Sequence, residues 1–129
     1  MIRVLIIDGE GPASEMLAGC ALHLGYDVST GHTISECLKK VASNPPDVIF
    51  IDAELPDGSP LDILDEIHAA PSSPTVIILA DSGTAESAER AIRNGAWDYT
   101  RKPASVKEMT ACLTRVAQYA YGRLVEGRI

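Results

Sequence analysis

Short runs of apolar residues alternate along this chain with segments in which apolar residues recur every three or four positions. The runs at Arg3–Ile7, Val48–Ile51 and Val76–Leu79 are typical of strands buried on both faces. Two more polar segments, Asp27–Thr30 and Trp97–Thr100, complete a set of five predicted strands, and the first of these suits a sheet edge. Because each strand is followed by a helical pattern, we expect a parallel sheet with helices on both faces.

Five helices are predicted from apolar residues that share one face. The first follows a loop that ends at Pro12, extends to about Leu24 and stops at Gly25. Its apolar face comprises Met16, Leu17, Cys20, Ala21 and Leu24. The apolar faces of the others comprise Ile34, Cys37, Leu38 and Val41; Leu61, Leu64 and Ile67; Ala85, Ala88, Ala91 and Ile92; and Val106, Met109, Leu113, Val116 and Ala120. Right-handed crossovers leave few topologies, and we predict a flavodoxin-like, doubly wound α/β fold with strand order 2-1-3-4-5.

The third predicted strand ends on an acid, Asp52, and a loop follows with the turn formers Pro56, Asp57 and Gly58. Ligands of such sheets bind at the carboxyl ends of the strands, where the strand order reverses. Here that point lies between the first and third strands, so Asp8 and Asp52 should meet at one crevice. Lys102 follows the fifth strand and should reach the same rim. From this stretch alone, a second interpretation is equally good: Asp52 would only hydrogen-bond to the backbone of its own loop.

Three kinds of chemistry would suit acids and a lysine gathered at strand ends. A carboxylate can attack a phosphoryl group, aided by Mg²⁺ and by an ammonium on the transferred oxygens. Paired carboxylates can instead do acid–base work, but no nucleophilic Ser or His and no glycine-rich phosphate loop accompany them, since Gly9–Gly11 lacks the required spacing. The third possibility is a binding module without chemistry.

Composition limits the kinds of binding partner and the cellular compartment that we expect. The chain has 129 residues and a net charge of −7, which is unfavourable for binding nucleic acid or an anionic membrane. Cys20, Cys37 and Cys112 fall within helical apolar patterns and are expected to be small buried hydrophobes. No apolar run approaches membrane-spanning length, and Met1 leads straight into a strand, so we expect a reduced, cytoplasmic domain.

Three motifs together resemble the receiver domain of two-component response regulators: RVLIID, DVIFIDAELPDG and GAWDYTRKP. The resemblance covers essentially the whole chain. It implies a receiver over residues 1–123, with residues 124–129 as a tail or the start of a linker to an output domain. In this family the aspartate that ends the third strand accepts a phosphoryl group from a histidine kinase or phosphotransfer protein. The resemblance thus implies a signalling protein rather than an enzyme, with Asp52 as the acceptor.

The resemblance also assigns roles around that acceptor. Asp8, Asp52 and the backbone carbonyl of Glu54 would bind Mg²⁺. Lys102 would contact the phosphoryl group, and Pro103 follows it across a peptide bond that is usually cis in the family.

Three positions depart from the family's pattern, and they concern the metal and the switch. Gly9 stands where a second acid usually follows Asp8, so we expect weak Mg²⁺ binding. Ala80 replaces the hydroxyl residue that usually binds the phosphoryl oxygen, and Asp81 replaces a small residue, while Tyr99 matches the aromatic residue that turns on activation. These departures leave a second hypothesis open: a degenerate pseudo-receiver that acts as a protein-interaction module without phosphate.

The remaining expectations concern partners and residues outside the crevice. The charges on the fourth helix are expected to form an ordinary solvated face. The functional alternative is a partner surface that spans the fourth helix, the fifth strand and the last helix, with a homodimer as one option. The C-terminal helix resembles that of receivers attached to sigma-54-type activators. Trp97 is expected to serve packing and Glu10 to be a solvated loop acid. His23, His32 and His68 share no metal-like spacing and are expected to face solvent or helix edges.

Overall fold

The structure, a computed structural model, describes residues 1–8 and 12–126, and at residue 126 it describes only the backbone. Five strands are present: β1 (Arg3–Ile7), β2 (Asp27–Gly31), β3 (Val48–Asp52), β4 (Thr75–Ala80) and β5 (Asp98–Arg101). All neighbouring strands are parallel and follow the order β2-β1-β3-β4-β5. The predicted fold class and strand order are confirmed.

The helices are α1 (Pro12–His23), α2 (Ile34–Ser43), α3 (Leu64–His68), α4 (Ala85–Arg93) and α5 (Val106–Glu126). The prediction of one continuous third helix is wrong. A single 3₁₀ turn, Pro60–Asp62, precedes α3, and Ile63 separates the two with φ −122° and ψ 5°, outside the helical range. Pro60 occupies the first position of that turn, where its missing N–H leaves no bond unmade.

Helix boundaries follow from local capping. The hydroxyls of Thr33 and Thr84 accept N–H groups in the first turns of α2 and α4, which satisfies donors that have no partner inside the helix. Gly25 follows α1 with φ +88° and Gly95 follows α4 with φ +105°, conformations that side chains rarely allow.

The core consists of two hydrophobic clusters, one on each face of the sheet. Successive residues of β1, β3 and β4 point to opposite faces, so these strands are buried on both sides. One cluster joins Leu5, Ile7, Ile49, Ile51, Val76 and Ile78 to α2, α3 and α4. The other joins Val4, Ile6, Val48, Phe50, Ile77 and Leu79 to α1 and α5. This double burial accounts for the unbroken apolar runs in the sequence.

Four residues assigned to apolar helix faces are exposed instead: Ala85, Met16 by 42%, Ile92 by 47% and Val106 by 57%. Val106 is the first residue of α5 and precedes the first buried position, Met109. Among the cysteines, Cys37 is fully buried and burial raises its pKa to about 11, whereas Cys20 and Cys112 are only partly buried. Periodicity therefore located the helices better than it located every buried side chain.

Helix α5 continues past residue 123, where the sequence suggested that a tail begins, as far as Glu126. Its last turns are held to the segment just before β4, because the Arg123 guanidinium donates to the Ser73 carbonyl at 2.9 Å. Within residues 1–8 and 12–126, no helix is long and apolar enough to cross a membrane.

Candidate functional site

Asp52 is the last residue of β3 and is 7% exposed. Its Oδ1 accepts the Glu54 N–H at 3.0 Å, and its Oδ2 accepts a hydrogen bond from the Lys102 ammonium at 3.0 Å. The carboxylate therefore does more than fold its own loop: it is paired with a cation that comes from the end of β5.

Asp8 follows β1 directly and is also 7% exposed. Asp8 and Asp52 line the same small cavity, together with Lys102 and Pro103, and its volume is about 10 Å³. That space matches roughly one water molecule. The prediction that the two acids share one crevice with Lys102 is consistent with this cavity.

The chemical types of the predicted ligands suit a small hard cation. The carboxylates of Asp8 and Asp52 and the backbone carbonyl of Glu54 would offer oxygen atoms, which Mg²⁺ prefers. No group of three or more acidic, histidine or cysteine side chains suited to a metal occurs in the described part of the chain. Gly9 and Glu10, on which the expectation of weak binding depends, lie outside the described residues.

Lys102 is fixed by backbone and side-chain contacts. Its N–H donates to the Ala80 carbonyl at 2.9 Å, which ties the residue to the end of β4. Burial lowers the pKa of Lys102, but the hydrogen bond and charge of Asp52, with the charges of Asp8 and Asp81, outweigh burial and raise the pKa overall. Lys102 is therefore a firmly charged ammonium aimed at the Asp52 carboxylate.

Asp81 faces the same ammonium from the solvent side. Its side chain is 84% exposed, yet its Oδ1 lies 3.4 Å from the Lys102 Nζ. The sequence left open whether Asp81 points to the crevice or to solvent, and the structure has it at the crevice rim. Lys102 is thus shared between two carboxylates.

Ala80 and Tyr99 are the residues predicted for the switch. Ala80 is 4% exposed and supplies no hydroxyl at the end of β4. Tyr99 pairs with Ile78 in the β4–β5 ladder and packs against the α2–α3–α4 cluster. Its ring lies so close to Gly83 that a Cβ at that position would come within 2.4 Å of the ring. The glycine therefore leaves the space in which the aromatic side chain rests.

Pro103 and Glu54 complete the predicted site residues. Pro103 lines the cavity as expected, but the described residues contain no cis peptide bond, so the cis bond implied by the resemblance is absent here. The side chain of Glu54 is exposed, and only its backbone takes part, through the N–H bound to Asp52.

Two residues near the crevice were not found from the sequence. His32 is exposed as predicted, but its Nδ1 lies 2.9 Å from the Asp8 carbonyl oxygen. Asp57, interpreted only as a turn former, accepts the N–H groups of Ile34 and Ser35 at 2.8 and 3.1 Å. The bond from Ile34 is the main cause of a lowered Asp57 pKa, against a smaller opposing effect of burial. Both contacts join loops distant in sequence, so no local pattern signals them.

A further group of contacts joins Trp97 and Asp98, at the start of β5, to α5. The rings of Trp97 and Tyr119 stack with centroids 5.1 Å apart, and the Arg115 guanidinium lies 5.1 Å from the Trp97 ring centroid. Arg115 also donates to the Asp98 carboxylate at 2.6 Å. The packing role predicted for Trp97 agrees with these contacts, which order the outer surface of α5.

The chain belongs to the response regulator receiver domain family, whose model matches residues 4–114. It is similar to the transcriptional regulatory protein KdpE of Mycobacterium tuberculosis, with 33% identity over 116 residues that cover 88% of this chain and 50% of that protein. It is also similar to the acid tolerance regulatory protein ActR of Rhizobium meliloti, with 31% identity over 110 residues, 85% of this chain and 57% of that protein. The chain spans about half the length of these relatives.

The chain is also similar to solved structures of receiver domains. The beryllofluoride-activated NtrC4 receiver domain dimer shares 28% identity and a TM-score of 0.83, covering 93% of this chain and 99% of that one. This protein is thus a receiver domain of a two-component response regulator. Such domains interact with histidine kinases and output domains, some of them dimerise, and they generally bind Mg²⁺.

Proposed function

We propose that this receiver accepts a phosphoryl group on Asp52 within a histidine kinase phosphorelay and signals through a partner surface. The observation that carries the proposal is the pairing of Asp52 with Lys102 at 3.0 Å in the cavity that Asp8 also lines. An acceptor carboxylate needs nearby positive charge to approach an anionic phosphoryl group, and this site provides it.

In the proposed reaction, an Asp52 carboxylate oxygen attacks the phosphorus of a phosphohistidine or a small phosphodonor. The new O–P bond forms as the donor's bond to phosphorus breaks, and the electron pair of that bond leaves with the donor. The Lys102 ammonium, now bound to Asp52, offers its hydrogen bonds to the phosphoryl oxygens. Asp8, Asp52 and the Glu54 carbonyl would hold Mg²⁺, whose charge offsets that of the phosphoryl group when it is bound.

The structural response to phosphorylation is proposed to be small. A hydrogen bond to a charged acceptor is worth about 1.5–3 kcal/mol, and Ala80 cannot make one. Full conversion of a two-state switch from 1:99 to 99:1 needs roughly 5.5 kcal/mol of differential binding. Asp81 also holds part of the Lys102 charge that the phosphoryl group would use. Both features favour a partial shift.

The partner surface is proposed to consist of α4, β5 and α5. The stacked Trp97 and Tyr119 rings and the Arg115–Asp98 pair give this face a fixed pattern of aromatic and charged groups. A homodimer is one use for it, since the similar NtrC4 receiver is a dimer in its beryllofluoride-activated form. An output domain, of sigma-54-type or another kind, is a further proposed partner, because the relatives are about twice as long.

Intact mass spectrometry with acetyl phosphate and Mg²⁺ tests the acceptor. We expect one added phosphoryl group on the wild type and none on Asp52→Asn. Asp47→Asn is the matched control, because Asp47 lies just before β3, at the opposite end of the strand from Asp52. Labelling of Asp52→Asn would move the acceptor to another residue.

The second candidate function is the pseudo-receiver, a protein-interaction module that works without phosphate. It is favoured by the sharing of Lys102 between Asp52 and Asp81 and by the absence of a hydroxyl at Ala80. An unlabelled wild type with its fold intact, judged by circular dichroism, would select this candidate.

A further inference from the structure

The segment between β2 and α2 contacts both loops that carry the proposed metal ligands. We name residues Gly31–Ser35 the β2–α2 junction. On one side, the Asp8 N–H donates to the Gly31 carbonyl at 3.1 Å and the Asp8 carbonyl lies 2.9 Å from the His32 Nδ1. A carbonyl oxygen only accepts, so the His32 Nδ1 carries the proton. The backbone of Asp8 is thus held at its N–H and at its carbonyl.

Gly31 allows this close approach. A Cβ there would lie 2.9 Å from the Ile7 Cδ1 and 3.2 Å from atoms of the Glu36 side chain. The junction therefore packs directly on the end of β1, the strand that leads into Asp8.

On its other side, the junction is bound by the loop that follows the acceptor. The two Asp57 carboxylate oxygens accept the N–H groups of Ile34 and Ser35, the first residues of α2. The loop carrying Asp57 is closed by reciprocal backbone bonds between Leu55 and Gly58, each 3.3 Å. That closed loop begins next to Glu54, so the position of the Glu54 backbone depends on where Asp57 is anchored.

We propose that the β2–α2 junction sets the spacing between the Asp8 loop and the Glu54 loop, with His32 and Asp57 as positioning residues for the Mg²⁺ site. The proposal rests on the proposed function, which assigns the metal to Asp8, Asp52 and the Glu54 carbonyl. Mg²⁺ tolerates little deviation from octahedral geometry, so its affinity depends on how ligand-bearing loops are held. Groups that orient ligands from outside the coordination shell typically change metal affinity about 10- to 100-fold when removed.

Calorimetric titration with Mg²⁺ tests the proposal with paired variants. We expect His32→Ala and Asp57→Ala to weaken Mg²⁺ binding by roughly 10-fold. His32→Asn can keep a donor near the position of Nδ1 and should restore near-wild-type affinity. Asp57→Asn removes the charge but keeps an acceptor oxygen, so it should bind Mg²⁺ more tightly than Asp57→Ala does. If Asp57→Asn and Asp57→Ala weakened Mg²⁺ binding equally, the loss would come from the removed charge, and the proposed positioning role of Asp57 would be wrong.

Asp47→Ala is the matched control, because the Asp47 carboxylate also accepts a backbone N–H, that of Arg3 at 2.9 Å, but at the opposite end of the sheet. We expect its Mg²⁺ affinity to equal that of the wild type. A loss as large as that of Asp57→Ala would show that loosening any loop has the same effect, and would refute the proposal.

Hydrogen–deuterium exchange of the metal-free protein supplies a readout that does not need Mg²⁺. We expect faster exchange of the Asp8 N–H in His32→Ala and of the Glu54 N–H in Asp57→Ala, with no such change in Asp47→Ala. Faster exchange limited to Ile34 and Ser35 would make Asp57 a helix cap and nothing more, against the proposal. If the wild type bound no Mg²⁺, the metal assignment of the proposed function would fail, and the exchange rates alone would decide whether the junction holds the two loops.

Discussion

The carboxyl end of the sheet has two halves that differ in how closely they follow the receiver pattern. At β1 and β3, Asp8 and Asp52 are buried beside the charged Lys102, as the family's chemistry requires. At β4, Ala80 offers no hydroxyl and Asp81 places a second carboxylate 3.4 Å from the same lysine. Under the proposed function, accepting a phosphoryl group and transmitting its arrival would depend on separate residues. This chain would then have kept the first set, in which Gly9 is the departure, more completely than the second.

The largest expected effect comes from removing the Lys102 ammonium, the cation paired with Asp52. In Lys102→Ala the phosphoryl oxygens lose their ammonium, and loss of one such charge-stabilising donor typically slows a reaction by about 10²–10³-fold. Labelling rates with acetyl phosphate, followed by intact mass, measure this. Lys107→Ala is the control, because Lys107 lies on α5 away from the crevice. Equal rates for Lys102→Ala and wild type would remove Lys102 from the reaction.

The next largest effect is expected when a hydroxyl is restored at position 80, at the end of β4. Ala80→Thr supplies a hydroxyl whose bond to a charged acceptor is worth about 1.5–3 kcal/mol, so the response to beryllofluoride should grow. Amide chemical shifts on α4 and β5, with and without beryllofluoride, report the response. The contrary outcome is a full chemical-shift response in the wild type that Ala80→Thr does not enlarge. In that outcome Lys102 and the backbone would suffice to produce the structural response, and the contrast between the two halves of the sheet edge would be refuted.

A smaller effect is expected from filling the space beside Tyr99. In Gly83→Ala the new Cβ would meet the Tyr99 ring at 2.4 Å, so the ring must move. Such overpacking costs about 1–3 kcal/mol in unfolding free energy. Urea unfolding of Gly83→Ala, Tyr99→Ala and the double variant forms a cycle, and the cost of Gly83→Ala should fall when Tyr99 is already removed. An unchanged cost would mean that the ring does not depend on this glycine.

The smallest effect concerns Asp81. Because its side chain is 84% exposed, its pairing with Lys102 is screened by water and worth about 1 kcal/mol or less. Asp81→Ala should therefore speed labelling only a few-fold, by freeing Lys102 and removing a negative charge from the rim. Slower labelling in Asp81→Ala would reverse this interpretation and give Asp81 a supporting role in phosphate or metal binding.

The fold and the positions of Asp8 and Asp52 at the strand ends were predictable from sequence because their signals are local. A strand buried on both faces appears as an unbroken apolar run, and its end marks the edge where ligands bind, which located Asp8 and Asp52. The break before α3 escaped prediction, since Leu61, Leu64 and Ile67 keep a helical spacing even though Ile63 leaves the helical conformation.

The contacts that surround the site were not predictable for a different reason. His32 meets Asp8, and Asp57 meets the start of α2, only after the strands have assembled in their final order. Asp81 likewise turns towards Lys102 because the ends of β4 and β5 are neighbours in the sheet. Interactions between loops of different strands leave no periodic pattern in the chain.

The most direct test of the account is to locate the phosphorylated residue chemically. Borohydride reduces an acyl phosphate to a primary alcohol, so a phosphorylated aspartate becomes homoserine, which peptide mass spectrometry can assign to one position. After treatment with acetyl phosphate and Mg²⁺, we predict homoserine at position 52 and at no other aspartate. Homoserine at position 8, 57 or 81, or at none while the fold is intact, would contradict the assignment of Asp52 as the acceptor.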